Sequence, residues 1–218
     1  MTVPAFLVTL RFLPRYDSRG VFTHRFGPKK NMDDIPSILD AIRHTPDCTI
    51  RPPCGLPSLP EGVSLPPDVR AFYELAGGAL LFSAHVCAGH VRILNPDEFQ
   101  RIDLAITGEQ FERGPFSNWF AIADVRDGNY IAIDLDTEHF GLCYDAFHET
   151  FAMPGYVNVI ASSFSDLLRR LLNHKEDSTY WLQEGFVSLG EAFALYGYNS
   201  IAKPGRTEPN DSRSRGVE

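Results

Sequence analysis

The sequence predicts an α+β domain, and three observations carry that expectation. Six short apolar or alternating segments, each bounded by turn residues, crowd between residues 79 and 161. Amphipathic helical spacing stands on both sides of them, at about 33–44 and at 162–174. Hydrophobic residues at 44% and charged residues at 22% are ordinary for a globular chain, which excludes global disorder, collagen-like repeats and coiled coil. With 218 residues the chain is long enough to hold a core without disulfide staples.

In chain order, FLVTLRFL (6–13) and VFTHRF (21–26) flank the turn-forming PRYDSRG and read as a β-hairpin. A helix follows at about 33–44, with Ile35, Ile38, Leu39 and Ile42 on one face, Asn31 or Asp33 as cap, and Pro36 in the first turn. Seven prolines between 45 and 67 exclude a continuous helix or a central strand, leaving an extended connector. Pro67 then opens a second helix bearing Val69, Phe72, Tyr73 and Ala76, which Gly77 and Gly78 are expected to close. The strand candidates are ALLFS (79–83), HVRIL (90–94), NWFAIA (118–123), YIAIDL (130–135), GLCYDAF (141–147) and VNVIA (157–161). Asp127-Gly128-Asn129 joins the third and fourth as a hairpin turn, and NPDEFQRI (95–102) reads as a short capped helix. SSFSDLLRRLLNH (162–174) is a helix opened by Ser163 and Asp166. A last helical region spans 178–197, restarting at Ser188 with Glu191 as a second capping box, and the tail 201–218 has little to bury. Phe72, Tyr73, Trp119, Phe120, Phe164 and Trp181 are expected in the core.

Charge is unevenly spread. Residues 1–30 carry +5, residues 201–218 carry +1, and residues 31–200 hold 24 acids against 10 bases, a net −14. An acidic body repels nucleic-acid phosphate and attracts basic partners, although many proteins are acidic merely to stay soluble. Basic and aromatic residues interleave only at the front, at Arg11, Phe12, Arg15, Tyr16, Phe22, Arg25 and Phe26, so nucleic acid is not the expected partner. No apolar run approaches the ~20 residues of a membrane span. MTVPAFLVTLRFLPR lacks a secretory leader's basic start and cleavage site, and the four cysteines read as free thiols, so a cytoplasmic protein is expected.

The order and wording of several segments resemble a family. LPPDVRAFYELAGGALLF, WFAIADVRDGNYIAIDL, GLCYDAFHE and IASSFSDLLRRLL resemble successive parts of the SUKH superfamily, which includes Smi/Knr cell-wall-assembly regulators and bacterial toxin-immunity proteins. The resemblance implies a mostly antiparallel sheet with helices packed on it, no catalytic machinery and no cofactor. It implies a protein partner, most simply a toxin and often a nuclease, with an intracellular regulator of the Smi/Knr type as the alternative. The chain then divides into an N-terminal basic hairpin extension (1–31), a SUKH-like domain (32–173), a C-terminal helical extension (174–200) and a disordered tail (201–218).

The densest chemical feature lies in the central strands. Asp124, Asp127, Asp134, Asp136, Glu138, Asp145 and Glu149 are offset only by Arg126, a net −6 within residues 124–149. These seven are the candidate partner-binding residues, facing a basic toxin domain across an acidic sheet surface. Asp127 and Asp136 also suit turns, and Asp134 suits a hydrogen bond inside the fold. As a calcium loop the run fails, since counting from Asp124 the sixth residue is Asn129 and the twelfth Leu135. His85, Cys87 and His90 are zinc-ligand types without a fourth ligand, and Cys48 and Cys54 are too loosely spaced to supply one. Cys143 with His139 or His148 can be written as a nucleophile pair, but chance yields such pairs here. No nucleophile elbow, phosphate loop or dinucleotide fingerprint occurs. Neither an enzyme nor a metal site is expected, and a cryptic metalloprotein or hydrolase is the third reading.

Overall fold

The computed structural model describes residues 34–83, 90–112, 114–174 and 179–198. The predicted N-terminal hairpin, the cap candidates Asn31 and Asp33, the pair His85 and Cys87, and the tail 201–218 lie outside them. α1 (Ile35–His44) forms on the predicted isoleucine-leucine stripe, which it buries. The proline-rich connector stays extended except for a two-residue edge strand, β1 (Thr49–Ile50). α2 (Pro67–Leu75) buries Val69, Phe72 and Tyr73. The six predicted strands follow as β2 (Ala79–Leu81), β3 (Val91–Ile93), β4 (Trp119–Asp124), β5 (Tyr130–Asp134), β6 (Cys143–Ala146) and β7 (Val159–Ala161). Between β3 and β4 lie a short 3-10 helix (Pro96–Glu98), closed by the reciprocal Asn95–Glu98 capping box, and α3 (Ile102–Thr107), which the sequence reading missed. α4 (Phe164–Asn173) and α5 (Ala192–Leu195) complete the helices.

The strands form one antiparallel sheet in which spatial order follows chain order from β1 to β7. Alternation sends successive side chains to opposite faces, and two separate cores result. One face packs on α1, α2 and α4 through residues such as Leu81, Ile93, Phe120, Ile133, Leu167 and Leu168. The opposite face is covered over its β4–β7 half by α3, α5 and the loops at Phe116 and Phe151, around Trp119 and Tyr144. A register shift between Ala121 and Ala123 turns both Ile122 and Ala123 toward the first core. The six aromatics expected in the core are all buried.

Two local expectations need correction. Gly77 and Gly78 do not cap α2, which ends on Ala76 in an extended conformation. A Cβ on Gly77 would sit 2.3 Å from the Pro52 carbonyl oxygen, so close backbone approach explains that glycine, while Gly78 adopts φ +120° against the Ile93 carbonyl. The region 178–197 is not a helix restarting at Ser188. It holds a 3-10 turn (Tyr180–Leu182) and the four-residue α5, with Glu191 as the actual cap, accepting from the Ala194 N–H at 2.8 Å. Between them the chain pairs with β7, through Leu189 N–H to Val159 O at 3.0 Å and Val159 N–H to Gly190 O at 2.9 Å. Backbone bonding to an otherwise open sheet edge outweighs the weak helix propensity of a segment containing Gly185 and Gly190.

One carboxylate joins the start of two helices. Asp68 accepts from the Val69 N–H at 3.0 Å with one oxygen and from the Ser165 N–H of α4 at 2.8 Å with the other. Ser163 caps the next free donor of α4, the Asp166 N–H, at 3.1 Å. Asp68→Ala therefore leaves two terminal donors without their partner and is expected to cost about 1–2 kcal/mol, read as a lower urea midpoint with an unchanged slope. An unaltered midpoint would show that water replaces the carboxylate at no cost.

Candidate partner-binding surface

The seven candidate carboxylates do not form one patch. β5 is only five residues long, yet the turns at its two ends are roughly 15 Å apart at ~3.3 Å per residue. Asp124 and Asp127 sit at the β4–β5 turn, and Glu149 joins them there. The β6–β7 loop is tied to that turn by His148, whose backbone N–H donates to Asn129 Oδ1 at 3.1 Å and whose Nδ1 lies 2.8 Å from the same oxygen. Asp136 and Glu138 occupy the β5–β6 loop at the other end. Asp127, Glu138 and Glu149 are exposed, while Asp124 and Asp136 are half-buried.

Two of the seven point inward. Asp134 is fully buried on the Trp119 side of the sheet. Its Oδ2 accepts from Trp119 Nε1 at 3.1 Å, Tyr144 OH at 2.7 Å and Tyr196 OH at 2.6 Å, and its Oδ1 accepts from the Asp136 N–H at 2.9 Å. Burial pushes its carboxyl up to about 6 despite those donors. Asp145 lies on the other side of the sheet, where burial likewise pushes it up to about 6, against a hydrogen bond from Trp181. Asp134 serves the interior, and Asp145 is half-buried with Trp181 as its donor.

Asp124 is engaged as well. Its Oδ1 accepts from the Arg126 N–H at 2.8 Å, which closes the turn, and its Oδ2 accepts from Arg92 at 2.9 Å. Arg92 also donates to both oxygens of Glu98, at 2.6 and 2.7 Å. Partial burial opposes the Glu98 charge, but the bonds from Arg92 and the Asn95 N–H outweigh it and hold that carboxyl below its ordinary range. This Glu98–Arg92–Asp124 cluster was missed in the sequence reading. Its signal was there: in HVRIL a single arginine interrupts an apolar strand between two buried neighbours, Val91 and Ile93.

Among the described residues the alternatives to protein binding gain no assembled site. Among the described residues no group of three or more histidine, cysteine, aspartate or glutamate side chains could hold a metal ion. Cys48 is half-buried and Cys54 exposed. Cys143 is buried in the first core, where desolvation pushes its thiol well up, away from the reactive thiolate. His139 stands instead against Tyr196, with ring centroids 4.4 Å apart, and Tyr196 packs on the second core. His148 is held by Asn129 at the far end of the sheet from His139, so neither pairing with Cys143 is assembled. No helix among the described residues is long and apolar enough to cross a membrane.

Comparison with known proteins adds two findings. Residues 59–170 match the SMI1 / KNR4 family (SUKH-1). The Immunity protein YokJ of Bacillus subtilis (strain 168) is 38% identical over 159 residues, which is 73% of this chain and 95% of that relative. No solved structure matches the chain.

Proposed function

The chain belongs to the SMI1 / KNR4 family (SUKH-1), and from that premise we propose that it is a non-catalytic immunity protein, binding and neutralising a toxin in the cytoplasm of the cell that makes it. The observation that carries this reading is the relative named as an immunity protein, matched over nearly its whole length. That extent favours immunity over the regulator role of the Smi/Knr type. The net −14 of residues 31–200 supports a basic toxin domain as the partner, since charge of one sign raises encounter rates and selects against acidic competitors. The exposed carboxylates Asp127, Glu138 and Glu149, with Asp124 and Asp136 beside them, would do the steering from both ends of the sheet.

The test is neutralisation. A toxin gene is expected beside this one: the toxin domain it encodes, expressed alone, should arrest growth; co-expressed with the chain, it should not, and the two should co-purify. Continued arrest with the chain present at equal level would refute the immunity reading. Reversing Asp127, Glu138 and Glu149 to lysine together should leave the melting temperature nearly unchanged, because all three side chains are exposed. The same change should slow association about tenfold and flatten its salt dependence. A triple variant that associates as fast as the wild type, with the same salt response, would show that these carboxylates do not steer the encounter.

A further inference from the structure

We propose that the partner docks on the half of the sheet that no described helix covers, the β1–β3 face turned away from α1, α2 and α4 and its margin on β4 and β5, with Leu80, Arg92 and Tyr130 as anchors. This deepens the immunity reading and rests on it. Strand register places one row of side chains straight across that face: Thr49 opposite Leu80, Leu80 opposite Arg92, Arg92 opposite Asp124, and Asp124 opposite Tyr130. Their neighbours Ala79, Leu81, Val91 and Ile93 are buried in the first core, so alternation turns this row to the other side. There the second core draws no residue from β1, β2 or β3 among the described residues. Thr49 is exposed, and Leu80, Arg92, Asp124 and Tyr130 are each only half-buried.

The chemistry of the row is that of an interface centre. Arginine and tyrosine are among the side chains enriched at binding hot spots, and Leu80, opposite Arg92, adds apolar contact area beside them. Arg92 is fixed in advance by its bonds to Glu98 and Asp124, so little side-chain freedom remains to be lost on docking. Charge on this face is mixed. At its centre Glu98 and Asp124 are set against Arg92, a net −1, whereas residues 31–200 together carry −14. A near-neutral centre within an acidic protein suits a basic domain, attracted by the surroundings and held by the anchors.

Site-specific photocrosslinking tests this in cells producing the full chain and its neighbouring toxin. Leu80→p-benzoylphenylalanine and Tyr130→p-benzoylphenylalanine should each yield an adduct with the same basic toxin domain. The same substitution at Leu75, exposed on α2, or at Glu138, at the far end of the sheet, should yield none. With that toxin domain purified, Leu80→Ala and Tyr130→Ala should each weaken binding at least tenfold, mainly through faster dissociation, at unchanged circular dichroism. Adducts confined to Leu75 or Glu138 would overturn the face and leave the immunity reading standing. Adducts at Leu80 and Tyr130 with a basic protein that is not a toxin would support the face and sink the immunity reading. Silence at all four positions would overturn the face, while rescue from growth arrest on co-expression decides the immunity reading separately.

Discussion

Asp134→Ala is expected to lower the unfolding free energy by about 3 kcal/mol at pH 7. Three side-chain donors, from Trp119, Tyr144 and Tyr196, converge on one carboxylate oxygen in the second core, and a backbone N–H occupies the other. Leaving a buried donor unpaired costs about 1–3 kcal/mol. Relief of the buried charge offsets part of that loss, which is why the expected total falls below the simple sum. Trp119 stacks on Tyr144 at 4.3 Å and meets Phe116 edge-on at 5.5 Å, so the ring cannot turn its N–H toward water without breaking this packing. Asp134→Asn should cost less than alanine. Its amide oxygen can still receive the three donors, and only the Asp136 N–H then faces an NH₂ group. Urea unfolding followed by tryptophan fluorescence measures both. An alanine variant as stable as wild type would mean that the hydroxyls satisfy one another without the carboxylate.

That network shows where legibility in the sequence ended. The strands were readable because each is a short apolar or alternating run between turn residues, and the hairpin turn at Asp127-Gly128 because few residues tolerate positive φ. Arg126, Asp127 and Gly128 all adopt it. The family resemblance was readable from segments that lie mostly within the matched residues. The destination of each carboxylate was not. Asp134 and Asp136 are both acids at the end of YIAIDLD (130–136), yet one is buried and the other half-exposed. The difference is made by partners 10 to 62 residues away, which only the folded sheet brings together. The sequence also could not say that acids close in the chain would be sent to opposite ends of one strand pair. That separation follows from antiparallel connection: turns at the two ends of β5 must point apart. That no described helix lies over the β1–β3 half of one sheet face was hidden for a related reason. An alternating strand announces that one face is buried, but not whether another element lies over the second.

Stability should rise on mild acidification, contrary to the behaviour of proteins whose carboxylates are ion-paired. Asp134 and Asp145 are both pushed up to about 6 by burial, while in the unfolded chain each titrates near 3.8. Between those limits the folded protein binds more protons than the unfolded one, so unfolding free energy falls as pH rises and increases as pH falls. The unfavourable contribution is therefore full above about pH 6 and gone below about pH 4. Each carboxyl contributes at most about 3 kcal/mol over that window, and the partly exposed Asp145 nearer 1–2 kcal/mol. Glu98 works in the opposite direction, since its carboxyl is held low and its bonds to Arg92 are lost once it is protonated at still lower pH. The stability maximum should accordingly lie on the acid side of neutrality. Asp145→Asn isolates one contributor, because an amide oxygen can still accept the Trp181 hydrogen bond without carrying charge. That variant should be about 1–2 kcal/mol more stable than wild type at pH 7 and indistinguishable from it at pH 4, with a shallower slope between. Urea titrations at half-unit steps from pH 4 to 7.5 would decide the matter. A wild-type stability that climbs steadily toward pH 7 would show that these two carboxylates ionise in the native state as easily as in the unfolded chain.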